Sequence, residues 1–154
     1  FDGVIADDEA ESVYQKTHDL QKFHDHEARN VLKPHSPGPL KEFLQKLSNV
    51  QKKEQEKQKT DAAYKPKIRI SIVTARNAPS HERVINTMRD WGITVNEAFF
   101  LGGIDKSLVL EVLDPHMFFD DQKIHLEPAS KVLPSVHIPF GVTNSVTEQV
   151  MRSQ

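Results

Sequence analysis

The sequence predicts an α/β fold, a parallel sheet flanked by helices, on three observations. From Ile68 onward, short apolar strand patterns alternate with helical ones. Residues suited to chemistry recur where the predicted strands end, at Asp2, Thr74, Gly102–Gly103 and Asp120–Asp121. The chain has 154 residues, 37% hydrophobic and 27% charged, which suits one domain with its own core, or one domain with a small insertion.

The opening F-D-G-V-I-A-D-D reads as the end of a buried strand running into a loop. Because a domain rarely begins in mid-strand, the chain is expected to be a piece of a longer protein. Residues 1–32 then carry net charge −5 and residues 33–67 net +5. With the turn-rich stretch around Pro34, Pro37, Gly38 and Pro39, that shift sets residues 7–67 apart as an insertion, leaving 1–6 and 68–154 as the core. Within the insertion, Glu11 to Arg29 has a weak helical pattern through Val13, Tyr14, Leu20 and Phe23. Leu40, Phe43, Leu44, Leu47 and Val50 form one stripe of an amphipathic helix. The polar run Gln51 to Lys59 reads as a solvated helix extension or loop.

In the core, Ile68, Ile70, Ile72 and Val73 predict a strand; Val84, Ile85, Met88 and Trp91 predict a helix that Gly92 stops. Glu97 to Leu101 is the next strand, Ser107 to Leu113 a helix, and Met117 to Phe119 and Val136 to Ile138 two further strands. Such units imply a parallel sheet covered on both faces, with ligands beyond the carboxyl ends of the strands.

Composition removes several function classes. Twenty basic against 22 acidic residues, net −2, provide no basic field for polymeric nucleic acid. No apolar run approaches the roughly 18 residues that cross a bilayer. The absence of cysteine excludes disulfides, thiol nucleophiles and thiolate zinc sites, and agrees with a reducing compartment. His24 and His26, at i and i+2, do not face each other on a helix, so no histidine metal site is expected.

Taken together, the strand ends bring three carboxylates (Asp2, Asp120, Asp121), the Thr74 hydroxyl and Lys106 toward one site. Oxygen donors suit a hard cation such as Mg²⁺, and an ammonium neutralises phosphate charge. Singly, each has an ordinary reading: Asp2 as a turn cap, the acidic pair as a surface turn, Thr74 as a strand-end hydroxyl, Lys106 as a solvated side chain. The ordered set is what points to a phosphate site. Tyr14, Phe23 and Tyr64 either form the core of the insertion or stack on a base.

The four segments F-D-G-V, I-V-T-A-R, G-G-I-D-K and F-F-D-D-Q resemble, in order and spacing, the motifs of the haloacid dehalogenase (HAD) superfamily of phosphohydrolases. L-K-P with P-G-P-L-K-E-F-L, then R-D-W-G-I, E-A-F-F-L-G-G-I-D-K and P-H-M-F-F-D-D-Q-K-I-H-L-E look more closely like the cytosolic 5′-nucleotidase type I family. The resemblance implies a HAD-like Rossmannoid sheet with a helical cap at 7–67, hydrolysis of nucleoside 5′-monophosphates with Mg²⁺, and a cytoplasmic location. One departure matters. The superfamily's first motif is D-x-D, nucleophile first and general acid/base second. If Asp2 were first, its partner would be Val4, which moves no proton. If Asp2 is second, the nucleophile immediately precedes Phe1, and Asp7, Asp8 and Glu9 align with the family's acidic stretch; this register is preferred.

In that register the resemblance makes Asp2 the general acid/base, its carbonyl a Mg²⁺ ligand. Thr74, Ala75 and Lys106 hold the phosphoryl group. Asp121 ligates Mg²⁺ directly with Asp120 supporting it, and Arg76 either contacts phosphate or braces the loop. A HAD phosphatase of another small phosphate ester, or a catalytically silent nucleotide-binding module, are the alternatives. The oligomeric state is not legible.

Overall fold

The computed structural model describes residues 1–144; residues 145–154, the end of the expected core, lie outside the described residues. Helices α1 (Glu9–Thr17), α2 (Leu20–Arg29) and α3 (Lys41–Thr60) precede an alternation of β1 (Ser71–Thr74), α4 (His81–Asp90), β2 (Glu97–Phe100), α5 (Lys106–Leu113), β3 (Phe118–Asp120), α6 (Lys123–Ala129) and β4 (Ser135–His137). A short 3₁₀ turn follows at Val142–Asn144.

The expected single helix from Glu11 to Arg29 is two. His18 adopts φ 47 and ends α1, while the Asp19 carboxylate accepts hydrogen bonds from the backbone N–H groups of Gln21 and Lys22 at 2.9 and 3.2 Å, starting α2. An aspartate satisfying the free N–H groups of a first turn is a start signal, and it wins over continuation here.

α3 carries the expected stripe and runs on to Thr60, so the polar run after Val50 is helix. It is not wholly solvated, because Glu54 is buried and accepts from Tyr64 Oη (3.0 Å) and from the backbone N–H groups of Lys67 (2.8 Å) and Ile68 (3.2 Å). A carboxylate that takes three donors from the incoming chain fixes the approach to β1, a long-range role that charge pattern does not reveal.

β1 pairs with β2 in parallel, Ser71 opposite Glu97 through Thr74 opposite Phe100, and β3 pairs with β4 in parallel, Phe118 opposite Ser135 through Asp120 opposite His137. Parallel order is therefore as expected, but the one expected sheet is two separate pairs. Nor do residues 1–6 form a strand: Phe1–Ile5 make a turn, with the N–H groups of Ile5 and Ala6 donating to the Phe1 carbonyl at 2.9 and 3.1 Å, and Ala6 makes only an isolated antiparallel bridge to Pro37.

Side chains alternate across a strand, and the core follows that rule. Ile72 belongs to an apolar cluster with Phe1, Leu44, Ile70, Val84, Met88 and Ile93, on the α3 and α4 side. Its neighbour Val73 belongs to a second cluster with Leu110, Phe118, Leu126, Ala129 and Leu133, on the α5 and α6 side. β1 is thus covered on both faces. The buried Leu44 also ties α3, within the 7–67 segment, to the same core as β1. α6 has no counterpart in the sequence pattern: it is seven residues long, contains Pro128, and buries only Leu126 and Ala129. At the other end of α4, Gly92 has φ +63, the stop the sequence predicts.

Candidate active site

The turn bearing Asp2 is fastened to the segment before α3. Asp7 N–H donates to the Ser36 carbonyl (2.9 Å), Gly38 N–H to Ile5 (2.8 Å) and Leu40 N–H to Val4 (2.8 Å). Gly38 makes this approach possible, since a Cβ there would lie 2.2 Å from the Ala6 carbonyl oxygen. Beside the turn, β1 delivers Thr74 and Arg76, the glycines after β2 lead into Lys106 at the start of α5, and β3 ends in Asp120 with Asp121 following.

These elements converge on one cavity of about 400 Å³. Of the residues predicted from sequence, Asp2, Thr74, Ala75, Arg76, Lys106 and Asp121 line it. Asp120 does not; it lies beneath, buried, its Oδ2 accepting from Lys106 Nζ at 2.7 Å and its Oδ1 from the Gln122 N–H at 2.9 Å. Helices α1 and α2 supply the far wall through Glu11, Tyr14, Gln15, Leu20 and Phe23. Tyr14 and Phe23 therefore face the cavity, while Tyr64 is spent on Glu54.

Asp121 is the most unusual acid of the group. Burial, then the neighbouring Asp120 carboxylate, push it up to about 6. The Asp120 charge is met by Lys106, but Asp121 accepts only a hydroxyl, from Thr143 Oγ1 at 3.0 Å, and makes no ion pair among the described residues. Gly3, at φ +67, lets the Asp2–Gly3 backbone approach this carboxylate: a Cβ on Gly3 would lie 2.7 Å from Asp121 Cγ and Oδ2. A buried carboxylate with no ion pair among the described residues, closely approached by the backbone of a turn, offers the hard oxygen donor that suits a divalent cation.

Asp2 has the opposite character. Burial pushes its carboxyl up, but the Arg76 guanidinium overrides this and holds it far below the usual carboxylate range. The contact is bidentate, Nε to Oδ2 at 2.8 Å and Nη2 to Oδ1 at 2.6 Å, the strong fork geometry of arginine with carboxylate. Arg76 lines the cavity, and the same guanidinium also donates from Nη1 to Glu27 Oε2 on α2 and to the Ser80 carbonyl.

Glu27 was not legible as a site neighbour. It is 1% exposed and binds Arg76, Arg83 Nη1 (2.8 Å) and, more loosely, His35 Nε2 (3.4 Å). The available signal was its position four residues after Phe23, which places a carboxylate on the buried face of α2. Outside the cavity, Asp7, Glu9 and His35 bring ligand-type atoms within 4.8 Å of one another, but Glu9 already faces Arg83 at 3.3 Å and His35 faces Glu27.

The buried network has a pH consequence. Burial raises Glu27, yet hydrogen bonds from His35 and Arg76 and the Arg76 charge outweigh it and bring the carboxyl from 4.5 down to about 2. With the folded value depressed, the stabilisation is complete above 4.5 and is lost as pH falls toward about 2; it is on the order of 3 kcal/mol. Thermal unfolding across that window should show a loss of stability on acidification in the wild type that is smaller in Glu27→Gln. Parallel curves for the two proteins would count against the pairing.

The sequence model of a family described as 5′-nucleotidase matches residues 1–145. The chain is also similar to cytosolic 5′-nucleotidase 1B of Homo sapiens, 42% identical over 135 residues, covering 86% of this chain and 22% of that relative. It thus spans about a fifth of the length of that protein. No solved structure matches. A match along nearly the whole chain, over the segments that form the cavity, places it: the chain belongs to the 5′-nucleotidase family.

Proposed function

We propose that the chain carries the catalytic site of a cytoplasmic, Mg²⁺-dependent 5′-nucleotidase that hydrolyses nucleoside 5′-monophosphates to nucleoside and phosphate. The observation that carries this reading is the convergence of Asp2, Thr74, Lys106 and Asp121 on one cavity at the strand ends, in a chain of this family.

In this reading an aspartate immediately before Phe1 attacks phosphorus in line. The bond to the ribose 5′-oxygen breaks and an aspartyl-phosphate forms. Asp2 gives the leaving oxygen its proton, then takes one from the water that hydrolyses the aspartyl-phosphate and restores the nucleophile. The Arg76 fork keeps Asp2 ionised at rest; a phosphate dianion entering beside it raises its proton affinity, as like charges do, and Asp2 takes up a proton from solvent before the ester bond breaks. The Thr74 hydroxyl and the Ala75 and Arg76 backbone N–H groups hold phosphoryl oxygens, and Lys106, steadied by Asp120, offsets their charge. Mg²⁺ would be held by the Asp121 carboxylate and the Asp2 carbonyl, with Asp120 in support, and when bound would supply positive charge to the phosphoryl oxygens.

Residues 7–67 act in this proposal as the cap, α1 and α2 forming the wall that faces the substrate and α3 anchoring them to the core. The two strand pairs are proposed as parts of one HAD-like sheet. The cavity between them supports this: it is lined by Ile72, Val73, Phe118 and Phe119, an apolar setting suited to a buried strand.

The full-length protein, assayed on a panel of nucleoside 5′-monophosphates and sugar phosphates with Mg²⁺ and after chelation, tests the reading. Release of phosphate from the nucleotides in preference, abolished by chelation and restored by Mg²⁺, is the expected result. Preference for sugar phosphates, or hydrolysis indifferent to chelation, would overturn it.

A further inference from the structure

Arg76 forms ion pairs with both Asp2 and Glu27 of α2, and its geometry is fixed from four directions. Asp2 takes its Nε and Nη2. Glu27 takes Nη1 at the opposite edge. The rings of Phe1 and Phe23 lie 5.7 and 5.2 Å from the guanidinium carbon, within range for cation–π attraction. Glu27 is itself held: its second oxygen accepts from Arg83, whose Nε donates to the Lys33 carbonyl at 2.9 Å. The chain of contacts Asp2, Arg76, Glu27, Arg83 thus runs from the cavity into α2 and back to α4 through side chains that are all buried except Asp2, which is 16% exposed.

We propose that Glu27, which does not line the cavity, is a positioning residue that acts through Arg76 on Asp2. The inference rests on the function proposed above, in which Asp2 is the general acid/base. The physical reason is competition for one guanidinium. A phosphate dianion in the cavity attracts Arg76, and a guanidinium drawn to phosphate no longer orients the Asp2 carboxyl toward the leaving oxygen. Glu27 holds the far edge of Arg76 with a full charge, at a point substrate does not reach, so the near edge stays on Asp2. Without that charge, Arg76 keeps the Ser80 carbonyl and the two rings but has no anion at its far edge, so it shifts more readily toward the phosphate: substrate is held at least as well, and the proton is delivered less well. A small displacement of a catalytic group from outside the reacting centre is enough to cost about 10²-fold in rate.

The test is Glu27→Gln in the full-length protein, with kcat and KM measured for a nucleoside 5′-monophosphate and for p-nitrophenyl phosphate, whose leaving oxygen needs little protonation. The expected result is a fall in kcat of about 10- to 100-fold on the nucleotide, with KM unchanged or lower, and a much smaller fall on p-nitrophenyl phosphate. Equal losses on both substrates, or an unchanged kcat, would overturn the proposal, since loss of folded protein lowers both rates alike. Glu27→Asp keeps the charge that offsets Arg76 and Arg83 but shortens the reach, so it tests the same split if the glutamine variant folds poorly. A second readout does not depend on activity. The Arg76 Nε–H signal in NMR should exchange slowly with water in the wild type and quickly in Glu27→Gln when phosphate is added. Slow exchange in both would overturn the positioning role, whereas a wild type inactive on nucleotides would refute the proposed function alone.

Discussion

Asp121→Ala in the full-length protein should abolish Mg²⁺-dependent hydrolysis while leaving the protein folded. Asp121 is buried beside Asp120, is held at about 6, and has a hydroxyl as its side-chain partner. Such a carboxylate costs the fold free energy when ionised, so its removal relieves like-charge repulsion and loses little packing. What it takes away is the donor best placed for a divalent cation, whose charge stabilisation is worth several kcal/mol, a rate loss of roughly 10³-fold or more. The measurement is phosphate release against Mg²⁺ concentration, alongside thermal unfolding. Wild-type activity with unchanged metal dependence would remove Asp121 from the site. An inactive variant whose unfolding temperature had also collapsed would reassign it to the fold.

Asp2→Asn has the second large effect and decides the register of the first motif. With Asp2 as general acid/base, the variant keeps a nucleophile able to attack but loses leaving-group protonation and water activation, each worth about 10²- to 10⁴-fold. The defect in forming the phosphoenzyme should therefore shrink on p-nitrophenyl phosphate, and mass spectrometry of trapped enzyme should place the phosphoryl group on the residue preceding Phe1. Phosphorylated Asp2 would reverse the register and leave Val4 where the proton donor ought to be. The structure adds a complication that can be checked: Asn cannot match the Arg76 charge, which leaves that guanidinium with Glu27 as its anionic partner. Loss of stability in Asp2→Asn is expected to be moderate for that reason, and activity should be compared at equal folded fraction.

Three neighbours of Asp2 and Asp121 are residues that the sequence exposes unusually well. Thr74 and Asp120 terminate short apolar strands, and Lys106 opens a helix after a glycine turn; local pattern places these three element ends within one residue, although β1 starts three residues later than the pattern from Ile68 predicts. The parallel pairing of β1 with β2 and of β3 with β4 also follows from the alternation of strand and helix. The break between α1 and α2 was harder, because Asp19 has one signature as an interior polar residue and another as a cap, and spacing does not choose between them.

The sequence by itself determined the alternation of strand and helix from β1 to β3, the polar residues at those strand ends, and their joint suitability for a cation and a phosphate. These depend on short periodicities and on the chemistry of single side chains, which are local. Only the tertiary structure decided which charges meet. It set Asp120 beneath the cavity against Lys106, left Asp121 with no ion pair among the described residues, joined the Arg76 guanidinium to Asp2 and Glu27, and buried Glu54 against the backbone before β1. Ion pairs between residues 49 and 74 positions apart leave no periodic trace in a chain. Their partners are chosen by burial, because a charge removed from water must find an opposite charge or donor nearby, and only the packed fold says which one is near.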